Sequence, residues 1–554
     1  MNFSIKLLSQ TVTQLCLSKG INQIVISPGS RNAPLTIGFT EHPKFNCFSI
    51  VDERCAAFFA LGIAQQTKKP TALVCSSGSA LLNYFPAIAE AFYSDIPLIV
   101  LSADRPSELL EIGDGQTIQQ EDVYGKHILY NANCKEGDEH QTHNETEINI
   151  ALNTAIELQG PVHVNIPFSE PLYDKVDELK IDPQNVPARN VSEEISEDLD
   201  KFVKEWNRST KKLVLVGVLA PNSIEERLIN ALAKDESVLV MTEATSNLHH
   251  NNFIPAIDQL ITSLDEDDFK ALQPDILLTF GGMVVSKRIK KFLRNYKPNA
   301  HWHVDTKKAY DTYFSLNQHI KTTPNVFLKA FLPKTVEIKS TYQKKWLAVK
   351  NERIKSHREY ILRAPYSDLK VYKTIFKYLP NNIQLQVANS AAIRYAQLFD
   401  IPSSVQVFCN RGTSGIDGSV STAVGAAYAS HLPTVLVTGD LSFFYDSNGL
   451  WNNYIPKNFK IILINNSGGG IFRILPGAKN TEHFNRFFET QHQLSAKQLA
   501  EMYQFDYTSA NDETNLNEQL SNFFSSSEKP KILEVFTPSE VNDTVLLDYF
   551  KFIK

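Results

Sequence analysis

Residues 434–444, TVLVTGDLSFF, and residues 460–472, KIILINNSGGGIF, carry the reading on which the fold turns. Each opens as a short, β-branched, apolar run and stops in polar or glycine residues, the pattern of a strand covered on both faces. The first run ends at Gly439-Asp440 and the second at Asn466, 26 residues beyond Asp440. In an open parallel sheet, ligands bind beyond the carboxyl ends of the strands. Two neighbouring strands would thus bring a carboxylate, Asp440, and an amide oxygen, Asn466, to one edge, where glycines 468–470 let a backbone carbonyl approach. A sparse, all-oxygen set suits magnesium, which keeps waters and bridges phosphate groups. An Asp or an Asn-Asn in a turn is ordinary by itself. Both at strand ends, at this spacing, mark a site.

The same alternation runs outward along the chain. Residues 24–27, 71–75, 97–102 and 161–167 read as strands, with helices over 55–66 and 80–93 between them. An acidic, proline-containing stretch over 173–200 reads as a linker. Strands then recur at 212–217, 237–241, 275–280 and 300–304, with a helix over 224–234 between the first two. A charged helix near 341–363 leads to strands at 383–388, 405–410, 434–438, 460–465 and 531–536. Strands alternating with helices imply parallel pairing. The fold class is α/β, with three consecutive open parallel-sheet domains over about 1–180, 195–335 and 360–554.

Composition narrows the function classes. The 554 residues carry 55 Lys and Arg against 61 Asp and Glu, a formal charge of −6, which argues against nucleic acid as a partner. Cys16, Cys47, Cys55, Cys75, Cys134 and Cys409 form no C-x-x-C pair and are expected to be small buried residues in a reducing cytosol. No apolar run approaches the roughly 18 residues of a membrane span. Ile5, Leu8, Val12 and Leu15 recur at helical spacing with no cleavage site after them, so no signal peptide is expected. A cytoplasmic protein is the expectation. Gly412, Gly415 and Gly418 are not spaced as a dinucleotide fingerprint, and no Walker A lysine motif is present.

The Gly-Asp and Asn-Asn pair resembles the thiamine-diphosphate motif, GDG followed by NN, with Leu441 in place of the second glycine. Thiamine enzymes also use a glutamate that bonds the pyrimidine ring and promotes the imino tautomer, which then deprotonates the thiazolium. Glu53, in VDER before the apolar run CAAFFALGIA, fits such a helix start. Asp52 as an N-cap and Glu53 on the helix dipole would account for the same letters without any cofactor. The downstream pair tips the reading toward the cofactor.

Resemblance extends along most of the chain. ISPGSRNAPL (26–35), VDERCAAFFALG (51–62), SSGSALLNYFPAIAEA (76–91), DIPLIVLSADRP (95–106), GDGQTIQQ (113–120), VVSKRI (284–289), NSAAIR (389–394) and NRGTSGIDGSVSTAVG (410–425) follow one another in family order. Together they resemble the 2-succinyl-5-enolpyruvyl-6-hydroxy-3-cyclohexene-1-carboxylate synthase family, thiamine-dependent enzymes of menaquinone biosynthesis with the pyruvate-decarboxylase-like architecture. The resemblance implies decarboxylation of 2-oxoglutarate and conjugate, Stetter-like addition of the succinyl-semialdehyde carbanion to isochorismate. It implies thiamine diphosphate with Mg2+ or Mn2+, and a homodimer, or a homotetramer, with active sites between subunits. Glu53 of one chain would face Asp440 and Asn466 of the other.

By the same resemblance, Asp440, Asn466 and Gly468 hold the metal, Ile416 props the cofactor, and Leu441, Ser442, Gly468, Ile471 and Phe472 line it. Ser30, Arg31, Arg105, Gln116, Lys287, Arg288, Ser390, Arg394 and Arg411 fall at substrate positions, with Glu53, Gln116, Ser390 and Arg394 in the catalytic group. Read from the residues alone, these arginines end apolar runs or sit in Gly/Ser-rich loops. Arginine suits planar carboxylates, and both substrates are dianions. A single loop arginine is ordinarily solvated; the set is what argues for binding. Asp114, beside this group, has no rationale in the sequence. Histidine is absent from the motifs, which leaves proton transfer to the cofactor and water, with Gln116 as an orienter. The alternatives are another thiamine 2-oxo-acid enzyme of acetolactate-synthase type, a non-catalytic scaffold, and a flavin or NAD oxidoreductase, the last opposed by the missing fingerprint.

Overall fold

Short apolar runs that alternate with helices have one economical solution, a parallel sheet with helices on both faces, and the chain uses it three times. The structure is a computed structural model that describes residues 2–189, 195, 197–474, 477, 479 and 481–554. In the first sheet β1 (Gln23–Ile26), β2 (Asn46–Ser49), β3 (Thr71–Cys75), β4 (Leu98–Asp104), β5 (Asn131–Asn133) and β6 (Val162–Pro167) lie in the order β2-β1-β3-β4-β6-β5. In the second, β7 (Lys212–Val216), β8 (Val238–Met241), β9 (Phe253–Ile254), β10 (Ile276–Phe280), β11 (Ala300–Val304) and β12 (Gln318–Ile320) lie in the order β9-β8-β7-β10-β11-β12. In the third, β13 (Gln384–Val387), β14 (Gln406–Phe408), β15 (Thr434–Gly439), β16 (Lys460–Asn465), β17 (Asp506–Ala510) and β18 (Lys531–Phe536) lie in the order β14-β13-β15-β16-β18-β17. All pairings within these sheets are parallel.

The first and third sheets share one strand order, and the helices between their second and third strands correspond. These are α1 (Glu53–Thr67) and α2 (Ser419–Ala429). Both are apolar or small all round, the composition of a helix buried on every side. They cross so closely that a methyl on Gly62 would come 2.2 Å from the Thr422 carbonyl oxygen. One on Gly425 would come 2.0 Å from that of Phe59. Phe58, Phe59, Val420 and Ala423 therefore join one core with Leu436 and Ile461, shared between the two domains.

The expected linker departs from a plain tether. Lys175–Val176 pairs antiparallel with Phe3–Ser4, and Asn149 Nδ2 donates to the Gln184 carbonyl at 2.8 Å, so its first part is strapped to the first domain. Residues 190–194 and 196 of the expected linker lie outside the described residues. No described helix is long and apolar enough to cross a membrane. All six cysteines are free, and all but the half-buried Cys47 are buried.

Candidate active site

The register of β15 and β16 pairs Gly439 with Ile464, so both strands run out together and Asp440 and Asn466 emerge at one edge. Asp440 is buried at the start of the Asp440–Tyr445 helix, with Oδ1 accepting from the Leu441 N–H at 2.7 Å and Oδ2 from the Gly468 N–H at 2.9 Å. Asn466 is held by its nitrogen, which donates to Asp368 Oδ2 at 2.9 Å, while its Oδ1 is buried without a hydrogen-bond partner. Burial pushes the Asp368 carboxyl up to about 6, and Thr537 Oγ1 donates to its other oxygen at 2.6 Å. Asp368 thus fixes the amide and leaves its oxygen open. A buried oxygen left open at the sheet edge that also carries Asp440 fits a divalent cation. Among the described residues no group of three or more His, Cys, Asp or Glu could hold a metal. This donor set would leave the remaining positions to waters and phosphate.

The loop after Asn466 shows why glycine is needed there. Gly468 has φ 150°, and a methyl on it would lie 2.6 Å from the Glu489 carbonyl. That carbonyl accepts from the Gly469 N–H at 2.6 Å, and Arg473 Nη2 bonds Glu489 Oε2 at 2.7 Å, clamping the loop. Leu441 stands inside a right-handed helix, a conformation that needs no glycine, and its Cδ1 lies against Gly469. Ser442 Oγ donates to the Ile416 carbonyl at 2.6 Å, tying the β15 end to the loop before α2. Ile471 and Phe472 follow in the short turn Gly470–Arg473. His492 Nε2 lies 3.3 Å from Asp440 Oδ2. Histidine is therefore absent from the motifs but present at the site. Nothing in the TQHQ context announced it, nor Asp368 and Glu489.

Glu53 begins α1 just after the N-cap Asp52, whose carboxylate accepts from the Cys55 N–H at 3.2 Å. Among the described residues the Glu53 carboxylate accepts one hydrogen bond, from Asn83 Nδ2 at 3.3 Å. It bonds neither Asp440 nor Asn466 of its own chain. The capping role read for Asp52 is present, and it leaves the Glu53 carboxylate free for other work.

The basic residues gather into two separate groups. In the first, Arg31 Nη1 donates to the Phe168 carbonyl at 2.7 Å, Arg31 Nη2 lies 3.3 Å from Glu170, and Tyr173 Oη donates to Ser30 Oγ at 3.2 Å. Arg105 Nη2 donates to the Gly115 carbonyl at 3.0 Å, and its Nε lies 3.8 Å from Asp114. That explains Asp114: it anchors the GDGQ loop, which carries Gln116 at φ 58°, to Arg105. Burial, then the neighbouring Arg105, lower the Arg31 pKa. In the second group, Arg394 Nη1 donates to the Ser390 carbonyl at 2.6 Å and Arg411 Nη1 to Asn389 Oδ1 at 2.7 Å. Burial, then Arg411, lower the Arg394 pKa. Arg288 lies 3.9 Å from Asp258, and Lys287 is exposed at the head of the Lys287–Asn295 helix. The 284–289 loop is held by Glu243, which accepts from the Val285 and Ser286 N–H groups at 2.7 and 2.8 Å. Burial pushes the Glu243 carboxyl up to about 7. Neither Arg31 nor Arg105 is hydrogen-bonded or ion-paired to a residue of the second group.

Comparison with known proteins decides the family. The model described as "Thiamine pyrophosphate enzyme, N-terminal TPP binding domain" matches residues 7–127, and that described as "Middle domain of thiamine pyrophosphate" matches 186–387. The chain is 57% identical to 2-succinyl-5-enolpyruvyl-6-hydroxy-3-cyclohexene-1-carboxylate synthase of Flavobacterium psychrophilum, with 98% of each chain covered. It is 54% identical to the synthase of Christiangramia forsetii (99% of this chain, 98% of the relative) and 38% identical to that of Cytophaga hutchinsonii (98% of each). The chain belongs to this synthase family.

Membership in the synthase family gives the unpaired atoms a common meaning. Arg31, Arg105 and Arg411 each bury an Nε that lacks a hydrogen-bond acceptor, as the Asn466 oxygen lacks a donor. Other buried atoms of the chain are also left open, Arg54 Nε and Trp346 Nε1 among them, but at the strand ends these three guanidinium groups fall together with the sequence motifs. Each basic group is short of acceptors, and each lies beyond strand ends of its sheet.

Proposed function

We propose that the protein carries out the synthase reaction itself. It decarboxylates 2-oxoglutarate and joins the succinyl-semialdehyde unit to isochorismate by conjugate addition. The products are 2-succinyl-5-enolpyruvyl-6-hydroxy-3-cyclohexene-1-carboxylate and CO2, an early step of menaquinone biosynthesis in the cytoplasm. The observation that carries this reading is the pair of basic groups with open guanidinium donors, one for each acidic substrate. Thiamine diphosphate supplies a nucleophilic carbon that attacks 2-oxo acids and stabilises the charge left by CO2 loss. Asp440, Asn466 through Oδ1, and the Gly468 carbonyl would hold its diphosphate through Mg2+ or Mn2+, with Ile416 behind the ring system. Glu53 holds a proton at the pyrimidine nitrogen. Arg394, Ser390 and Arg411, with Lys287 and Arg288, orient one substrate; Ser30, Arg31, Arg105 and Gln116 orient the other.

The separation of the two groups within one chain supports a homodimer in which one chain's Glu53 and Arg31 face the other's Asp440 and Arg394. The domain limits we propose are residues 1–180, 195–335 and 360–554. Incubation with thiamine diphosphate, magnesium, 2-oxoglutarate and isochorismate tests the reading. Isochorismate absorbance should fall only when every component is present. Loss that proceeds without 2-oxoglutarate, or no loss at all, overturns it.

A further inference from the structure

A cavity of about 270 Å3 lies where the long Tyr342–Arg363 helix passes between the central and third domains. Its wall is aromatic. Phe376 and Phe399 have ring centroids 5.8 Å apart, and the His357 ring stands edge-on to Phe399 at 5.3 Å. Ile254, Leu260 and Ile354 extend the apolar surface.

Around that wall stand five cations, Lys350, Arg353, Arg358, Lys373 and Lys377, against one carboxylate, Asp400. In a chain of net charge −6 this is a local reversal. Lys350 is engaged, its Nζ donating to the Asn251 carbonyl at 2.7 Å. Arg353 bonds the Ile553 carbonyl through Nη1, but its buried Nε has no acceptor. Arg358 and Lys373 have neither hydrogen bond nor ion pair among the described residues, and Lys377 has only the Tyr378 ring at 5.3 Å. His357 adds a neutral donor. Its Nδ1 faces Gln259 Nε2 at 3.3 Å and Tyr549 Oη at 2.8 Å, which leaves the proton on Nε2. Burial holds this ring down to about 4, uncharged at neutral pH.

Cations in excess of carboxylates over an aromatic floor are the complement of an anion with a flat apolar body: the charge meets Lys and Arg, and the ring stacks on Phe. We propose that this cavity binds a small aryl carboxylate. It shares no lining residue with either basic group of the active site, and it adjoins one of them. Gln259, in its wall, donates to the Leu398 carbonyl at 2.8 Å, and its neighbour Asp258 lies 3.9 Å from Arg288.

The test is calorimetric titration of the full chain with naphthalene-2-carboxylate. Thiamine diphosphate, magnesium and saturating 2-oxoglutarate are present throughout to fill one basic group of the active site, and every titration is made in an Arg31→Ala/Arg105→Ala background, which removes the other. One saturable site per chain is expected. Inorganic phosphate, which has charge but no ring, should bind at least tenfold more weakly. K373E/K377E, which alters two outward-facing side chains on the Asp368–Tyr378 helix, should weaken naphthalene-2-carboxylate at least tenfold. R358E, on the neighbouring helix, gives an independent second variant, and thermal melts establish that each is folded. Absence of saturable binding, equal affinity for phosphate, or unchanged affinity in folded K373E/K377E and R358E overturns the proposal.

Discussion

With a single side-chain hydrogen bond among the described residues, from Asn83 at 3.3 Å, Glu53 contributes little to holding α1 in place. Glu53→Gln should therefore keep the fold and lose the proton function. Turnover should drop about 10²- to 10⁴-fold, the range for a positioned acid–base group. Near wild-type turnover in a steady-state assay would remove Glu53 from the reaction. Asp440 is different, because it also organises the Gly468 loop. Asp440→Ala should abolish magnesium-dependent binding of thiamine diphosphate in calorimetry. Asn466→Ala, which removes a neutral ligand, should weaken binding less. Unchanged affinity in Asp440→Ala would place the metal elsewhere. Glu243 offers a pH test. Its folded pKa of about 7 stands above the ordinary 4.5, so the folded state holds the proton more tightly than the unfolded chain. The stability it contributes is complete below about 4.5 and disappears as pH rises through 7. At about 1.4 kcal/mol per unit the swing is at most about 3 kcal/mol. Glu243→Gln, which has no charge to bury, should gain stability relative to the wild type between pH 5 and pH 8 in denaturant titrations. A constant difference across that range would refute the assignment.

Elements were legible in proportion to their burial. The central strands of all three sheets appear where continuous Val, Ile and Leu runs place them, because a doubly covered strand needs apolar residues on both faces. Five of the six edge strands, β2, β5, β9, β12 and β17, had no such signal. NCFS, NAN and DYTSA expose one face or one edge to water and carry no continuous apolar run to mark them as strands. The candidate site was legible for a similar reason: Asp440, Asn466 and the loop arginines follow buried strands, whose ends are sharp in the sequence. Asp368, Glu489 and His492 were not, since each reaches the site through a tertiary contact with no local pattern. The α1–α2 crossing was equally silent, for Gly62 and Gly425 lie inside ordinary helical runs. Gly425→Ala would drive a methyl to 2.0 Å from the Phe59 carbonyl oxygen. Overpacking of this kind costs about 1–3 kcal/mol. Gly115→Ala, where nothing lies within 4 Å, should leave the melting temperature unchanged while Gly425→Ala lowers it. Equal melts would show that the helices slide apart freely.

The whole molecule divides its chemistry between two homologous sheets. The first carries Glu53, Ser30, Arg31 and Arg105 at its strand ends; the third carries Asp440, Asn466, Ser390 and Arg411. Within one chain α1 and α2 lock these sheets through a shared core, yet Glu53 is bonded to neither Asp440 nor Asn466. The proposed homodimer sets the first domain of one chain against the third domain of another, a symmetric arrangement that would give a dimer two equal sites. Co-expression of Glu53→Gln chains with Asp440→Ala chains puts this to the test, since each variant alone is expected to be inactive. In a mixed dimer one site receives both substitutions and the other neither. Random pairing makes half of the dimers mixed, each with one intact site of two, so roughly a quarter of wild-type activity should return. Separate affinity tags on the two variants allow the mixed species to be purified, where recovery should reach about half. If each chain instead built its site alone, every site in the mixture would carry one lesion, and the purified mixed dimer would be as inactive as its parents.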